Sequence, residues 1–197
     1  AKPRTNGKTT TTSLTYDIMK RHAKKALLVG NIEIPYTGYA LESDKDSVTV
    51  AEISSFQLET MVTFKPHVTA ILNITPDHLD RHKTLENYIA IKESITKNQD
   101  GNDFCVLNYN DPVLREFGKT PRCKVIFFSS SEELESGVFL RGDTMIIKEN
   151  GVETPVCTTK DTSLVGMHNY ENIMAAIAMT HAMGVPLDTI RQGIKEF

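Results

Sequence analysis

A glycine and a lysine followed by hydroxyl side chains stand near the start of the chain, in Thr5-Asn6-Gly7-Lys8-Thr9-Thr10. Backbone amides around Gly7 can point into a loop, and the N-terminus of a following helix carries partial positive charge, so the stretch suits phosphate. Lys8 would then sit on the terminal phosphates, and the hydroxyl of Thr9 or Thr10 suits Mg²⁺. The same residues also read as an ordinary helix start, because Asn6 and Thr9 are good caps. The general pattern G-x4-G-K-[ST] asks for glycine at position 2, where the chain has Lys2. The loop alone therefore does not decide between the two readings.

Two further motifs place polar groups at strand ends. Glu52 closes the apolar run SVTVAEI, and a carboxylate there, beside a phosphate loop, is placed to hold Mg²⁺ or its water. The plainer reading is a solvated strand end. In ILNITPDHLDRH a strand is expected to end at Asn73 or Ile74, with His78 in the acidic loop beyond it. A lone histidine is more often structural than catalytic, but the position past a strand end in an α/β sheet favours function.

These groups need a scaffold, and the chain supplies the pattern of one. Thr9 to Lys24 reads as a helix with Leu14, Ile18 and Met19 on its apolar stripe and basic residues at its C-terminal end. The short runs AKKALLV, SVTVAEI, VTAILNI, FCVLN and KVIFF alternate with helical segments such as Leu85 to Thr96, the mark of an α/β fold with a mostly parallel sheet flanked by helices. VFLRGDTMIIKENGVETPV alternates instead, with ENG as a tight turn, and predicts a small antiparallel hairpin element appended to that sheet. Two helices follow, NYENIMAAIAMTHAMG, ended by Gly184 and Pro186, and LDTIRQGIKEF.

Composition narrows the function classes. With 197 residues, 40% of them hydrophobic, the chain can bury one substantial core. The 22 Lys and Arg against 25 Asp and Glu give no basic excess for nucleic acid. No apolar run approaches the roughly 20 residues of a membrane span. Cys105, Cys123 and Cys157 are odd in number with no CxxC pair, so neither a disulfide framework nor a zinc site is expected, and a reducing, cytoplasmic compartment is.

The motifs TNGKTTT, VGNI, EISSFQLE, ILNITPDHLDRH with a lysine fourteen residues after its first histidine, and GMHNYENIMAA occur in that order. Together they resemble the central ATP-binding domain of the Mur ligases of peptidoglycan synthesis, from Thr5 nearly to the end of the chain. SSFQLE and LNITPDHLDRH are most similar to the branch that adds D-glutamate to UDP-N-acetylmuramoyl-L-alanine. The resemblance implies a P-loop domain, residues 1–197, from a three-domain ligase, between a uridine-nucleotide domain and a C-terminal domain. It implies an acyl phosphate made with ATP and displaced by an amine, two Mg²⁺ sites, and a monomeric complete enzyme. Thr5, Asn6, Gly7, Lys8, Thr9 and Thr10 would hold the phosphates, and Thr9 and Glu52 would serve the first Mg²⁺. His78 would serve a second Mg²⁺ bridging substrate and γ-phosphate. Lys92 matches a lysine that CO₂ converts to a carbamate; from its residues alone it is a surface lysine on IAIKESI. Asn31 matches a contact to the muramyl substrate. Asn169 and Asn172 match positions near the adenine end of ATP, although HNY also reads as a helix cap.

The chain departs from the family in its first 33 residues. A polar AKPR stands where a hydrophobic strand should lead into the loop, Arg4 takes the place of the first glycine, and Glu33 that of another. Without that strand and the flanking domains, the isolated chain is expected to bind Mg·ATP weakly or not at all and to make no amide bonds. A folylpolyglutamate synthase-like ligase and a non-catalytic P-loop module are the alternatives.

Overall fold

The computed structural model describes residues 7–32, 34–75 and 79–197, with Leu79 and Asp80 described by backbone alone. Thr5, Asn6, His78, Arg4 and Glu33 lie outside the described residues. Helix α1 (Lys8–His22) is followed by β1 (Lys25–Gly30), β2 (Ser47–Glu52), α2 (Ser55–Glu59), β3 (Val68–Ile71), α3 (Leu79–His82) and α4 (Leu85–Glu93). Then come β4 (Phe104–Asn108), α5 (Pro112–Phe117), β5 (Lys124–Ser129), β6 (Gly137–Arg141), β7 (Thr144–Glu149), β8 (Val152–Thr158), α6 (Met167–Ala182) and α7 (Leu187–Glu196).

Among the described residues the strands form two sheets. β1 and β2 pair in parallel, and β3 to β8 form a six-stranded sheet in chain order, parallel as far as β6 and antiparallel beyond. Alternate residues of the middle strands feed opposite faces, which is why Phe104–Leu107 and Val125–Phe128 are unbroken apolar runs. Val106 and Phe128 join the larger core with Leu14 and Ile18 of α1, Ile173 to Ala178 of α6, and Ile190 and Ile194 of α7. Cys105 and Leu107 face the other way, toward Leu114 of α5 and Ile95. All three cysteines are free and buried.

Several expectations need correction. The expected hairpin is three strands with two turns. Asn150 (φ 52°) and Gly151 (φ 80°) make the second of these, as ENG predicts, and Gly142 (φ 61°) lies in the first. β6 pairs in parallel with β5, so the element continues the main sheet. VTAILNI ends as a strand at Ile71, short of Asn73. Beyond Ile71 side chains hold the backbone. Asn108 donates to the Leu72 carbonyl (3.1 Å), Lys92 Nζ donates to that of Asn73 (2.8 Å), and the Ile74 N–H donates to Asp111 (2.7 Å). The first helix stops at His22, because Ala23 is extended.

Candidate active site

The helix that carries the loop lysine starts without a side-chain cap. Gly7 precedes it with φ 119°, a conformation that glycine adopts without penalty. A Cβ on Gly7 would overlap the Asn172 side-chain amide, so loop and α6 meet with room for hydrogen only. The capping reading of Thr9 fails here. Its hydroxyl donates to Glu52 Oε2 at 2.9 Å, across from the carboxyl end of β2.

Glu52 is 4% exposed, far from a solvated strand end. Its other oxygen accepts from Asn31 Nδ2 at 3.0 Å, while the Asn31 N–H donates to the Glu52 carbonyl at 2.9 Å. This clasp needs the preceding Gly30 (φ 99°), where a Cβ would strike the Glu52 carbonyl oxygen. Gly30 is a residue that motif reasoning passed over, though VGNI contained it. Three residues chosen from separate motifs, Thr9, Asn31 and Glu52, are thus one hydrogen-bonded set.

The set fits a nucleotide-bound cation. A hydroxyl that gives its proton to Glu52 keeps its lone pairs for a metal, and a buried carboxylate with both oxygens engaged holds that hydroxyl still. Among the described residues no three of His, Cys, Asp and Glu gather at metal-binding distance. Mg²⁺ on a nucleotide needs no such cage, since phosphates and water supply most of its ligands. Thr9 rather than Thr10 is the hydroxyl directed at Glu52.

Lys8, Glu52, Asn73 and Lys92 line one cavity. Lys92 Nζ reaches the Asn73 carbonyl and lies 4.7 Å from the centre of the Tyr88 ring, which makes it more than a surface lysine. An ammonium makes both contacts favourably; a carbamate would keep one N–H for the carbonyl and lose the cation over the ring. Asn169 and Asn172 lie within α6, not at its cap, which is Gly166. Asn172 Nδ2 lies 3.5 Å from Asn169 Oδ1, and Asn169 Nδ2 donates to the Val165 carbonyl at 2.9 Å. Asn172 is the one that abuts the loop.

The second half of DHLDRH is architectural. His82 is buried, its Nε2 3.0 Å from Ser55 Oγ and its ring stacked 5.5 Å from Phe56. Its Nδ1 is 3.1 Å from Glu59 Oε1, close enough for an ion pair though not aligned as a hydrogen bond. Arg81 grips the same helix through Glu59 (2.9 Å) and the Phe56 ring (4.6 Å), and its hydrogen bond holds the Glu59 carboxyl below the ordinary range. Helix α2 is itself fixed by a capping box between Ser54 and Gln57. SSFQLE and LDRH are therefore two halves of one clamp.

Comparison with known proteins places this geometry. Residues 5–180 match the family model of the Mur ligase middle domain. Over 193 residues, 98% of the chain, it is 50% identical to the UDP-N-acetylmuramoylalanine–D-glutamate ligase of Lachnoclostridium phytofermentans and 47% identical to that of Lachnospira eligens. The chain spans 42% and 43% of those two proteins. Among solved structures, MurF from Acinetobacter baumannii superposes with a TM-score of 0.73 at 21% identity, over 97% of this chain and 43% of that one, a likeness of fold. Motif order, the Thr9–Glu52–Asn31 set and the family match over most of the chain agree: the chain belongs to the Mur ligase family, with the fold of its middle domain.

Proposed function

We propose that this chain is the ATP-binding centre of a ligase that joins D-glutamate to UDP-N-acetylmuramoyl-L-alanine. The observation that carries the reading is the Thr9–Glu52–Asn31 set beside Lys8, and the names of relatives at 46–50% identity supply the substrates. In the proposed reaction a carboxylate oxygen of the muramyl substrate attacks the γ-phosphorus of ATP and ADP leaves. The amine of D-glutamate then attacks the acyl carbon, phosphate leaves with the acyl C–O bond pair, and the nitrogen loses a proton.

Each residue has a role in this reading. Lys8 and the amides after Gly7 hold the terminal phosphates, whose charge must be neutralised for transfer. Thr9 would offer lone pairs to the first Mg²⁺, and Glu52 keeps its hydroxyl oriented. Bound Mg²⁺ supplies charge neutralisation and alignment of the phosphates. Asn31 fixes Glu52 and would contact the muramyl substrate. His78 and a carbamylated Lys92 would hold the second ion, the carbamate turning a cation near the Tyr88 ring into an anion. Asn169 and Asn172 bound the nucleotide side. The flanking uridine-nucleotide and C-terminal domains complete the enzyme.

The test uses the longer protein. ADP release should require both UDP-N-acetylmuramoyl-L-alanine and D-glutamate, and Lys8→Ala and Glu52→Gln should each lower turnover by about 10²–10³-fold, the scale of losing one preorganised charge contact. Release that ignores D-glutamate, or a Lys8→Ala enzyme with full turnover, overturns the proposal.

A further inference from the structure

Three successive residues past β3 are each held by a side chain from another part of the chain. Asn108 donates to the Leu72 carbonyl (3.1 Å), Lys92 Nζ donates to the Asn73 carbonyl (2.8 Å), and Asp111 Oδ2 accepts from the Ile74 N–H (2.7 Å). Two of the three holders share one turn between β4 and α5, where the Asp111 N–H donates to the Asn108 carbonyl at 3.3 Å. Asn108 is buried, and its side-chain oxygen accepts from the Asn110 N–H at 2.9 Å, so both ends of its amide are engaged. Asp111 is engaged at both oxygens as well. Its Oδ1 caps α5 through the N–H groups of Val113 (2.9 Å) and Leu114 (3.3 Å).

A helix cap needs only one of those oxygens, and serine, threonine or asparagine supplies it nearly as well as aspartate. The second oxygen answers to Ile74, at a length typical of strong charge-assisted hydrogen bonds. The Ile74 N–H and the Asn73 carbonyl belong to one peptide group, and there is no cis bond among the described residues. In a planar trans peptide the N–H and the C=O point in opposite directions. Asp111 and Lys92 therefore grip the same peptide from opposite edges, the carboxylate at its donor end and the amine at its acceptor end. We propose that Asp111 is a positioning residue for Lys92, acting through the peptide group that joins Asn73 to Ile74.

That peptide stands in the site. Leu72, Asn73 and Lys92 line the same cavity as Lys8 and Glu52, and a Cβ on Gly7 would come 3.4 Å from the Leu72 side chain. With Asn108 on the Leu72 carbonyl and Asp111 on the Ile74 N–H, the Asn73 carbonyl is pinned from both sides. It cannot swing away from Lys92 unless one of these bonds breaks. Hydrogen bonds in line across one peptide also polarise each other, so the carboxylate strengthens the carbonyl as an acceptor. An ammonium and a carbamate each keep an N–H for that carbonyl, so the hold on Nζ applies to either state of Lys92. Asp111 thus joins the start of α5, outside the site, to an amine inside it. The proposal rests on the reading of Lys92 as a working residue of the ligase.

Asp111→Ser and Asp111→Thr in the longer protein test it, since either hydroxyl can keep the α5 cap and neither has a second oxygen for Ile74. Exchange of the Ile74 amide should quicken by about 10–100-fold, the scale of one hydrogen bond to a charged group. Acylation of Lys92 by an amine reagent in CO₂-free buffer should quicken by about tenfold, as its acceptor loosens. The kcat for ADP release should fall by about 10²-fold, the scale of a site group displaced by about an ångström, with KM for ATP within about twofold of wild type. Glu116→Gly is the control, weakening α5 on its exposed face without touching Asp111. It should lower Tm and leave Ile74 exchange, Lys92 acylation and kcat unchanged. Wild-type kcat in the Asp111 variants, unchanged exchange at Ile74 or unchanged acylation of Lys92 overturns the proposal. So does a loss of kcat in Glu116→Gly equal to theirs, the sign that α5 matters only as a helix. ADP release that ignores D-glutamate would sink the ligase reading and leave the exchange and acylation results standing, so the two proposals fail separately.

Discussion

The two ends of this molecule handle strand edges in opposite ways. At β8 the outer edge is closed: Pro155 removes a donor, and Arg191 of α7 donates to the Pro155 and Val156 carbonyls at 2.7 and 3.0 Å. A register shift at Met145/Ile146 and turns at Gly142 and Asn150-Gly151 complete an element with every strand partnered. Among the described residues β2 and β3 each have one unpaired edge, and the polar groups nearby are tied to one another or directed at a cavity. One end is built from packing and turn geometry. The other gives up packing to bring Lys8, Thr9, Glu52 and Lys92 around one opening.

The strongest way to break that division is to remove core at the closed end. Phe139 is fully buried against Leu134 and Ile146, with Tyr109 and Phe127 beside them. Phe139→Ala should cost about 3–5 kcal/mol in urea unfolding, the range for large aromatic deletions. In the longer protein the KM for ATP of the fraction that stays folded should not change. A raised KM would mean that the closed end positions the site after all.

A pair of glycines sharpens the contrast at smaller cost. Gly7 and Gly142 both have positive φ, so alanine strains either by about 1–2 kcal/mol. They differ in surroundings: a methyl on Gly7 meets Asn172, and one on Gly142 meets open space. Gly142→Ala should lower the unfolding midpoint and leave ATP binding by the longer protein intact. Gly7→Ala should lower both, because Asn172 and the start of α1 must separate. Equal effects on ATP binding would mean that the close approach at Gly7 does not matter.

What was readable in the sequence follows the same division. Runs apolar on both faces gave β4 and β5 almost to the residue, since full burial leaves little freedom in their register. β3 ends earlier than the run predicts because Leu72 and Ile74 continue its apolar pattern, while the groups that hold the backbone beyond it, Asn108, Lys92 and Asp111, lie 19 to 37 residues away. Motif order found Thr9, Asn31 and Glu52, but not that they bond to each other, which depends on the approach of α1 to β2. His82 was hidden for the opposite reason: in DHLDRH it looks as chemical as His78, and only burial under Phe56 and Tyr88 marks it as structural. The β6–β8 element was legible in its ENG turn and less so at Gly142, where RGDT breaks alternation for a single residue pair.

The smallest expected effect concerns charge at the closed end. Arg141 bridges Glu133 (2.7 Å) and Glu153 (2.8 Å), and Lys148 also reaches Glu153 (3.1 Å). Hydrogen bonds from Arg141, then Lys148, push the Glu153 carboxyl down to about 2, and Arg141 lowers Glu133 as well. A carboxylate whose folded pKa lies below its unfolded value, about 4.5 here, binds protons more readily once unfolded. Its contribution is therefore present above about pH 4.5 and is lost as pH falls toward 2. These groups are exposed, so solvent and salt screen the gain, and at neutral pH Glu153→Gln should barely move the urea midpoint. Between pH 4.5 and 2 the wild-type midpoint should fall more steeply than that of Glu153→Gln, and about 1 M salt should bring the two slopes together. The difference between the two proteins isolates this cluster from other lowered carboxylates such as Glu59 and Asp100. If the slopes coincide at low salt, Arg141 contributes geometry to the β6–β7 turn and no charge-dependent stability. The closed end would then owe its stability to packing and pairing alone, which widens its contrast with an opposite end organised around charged groups.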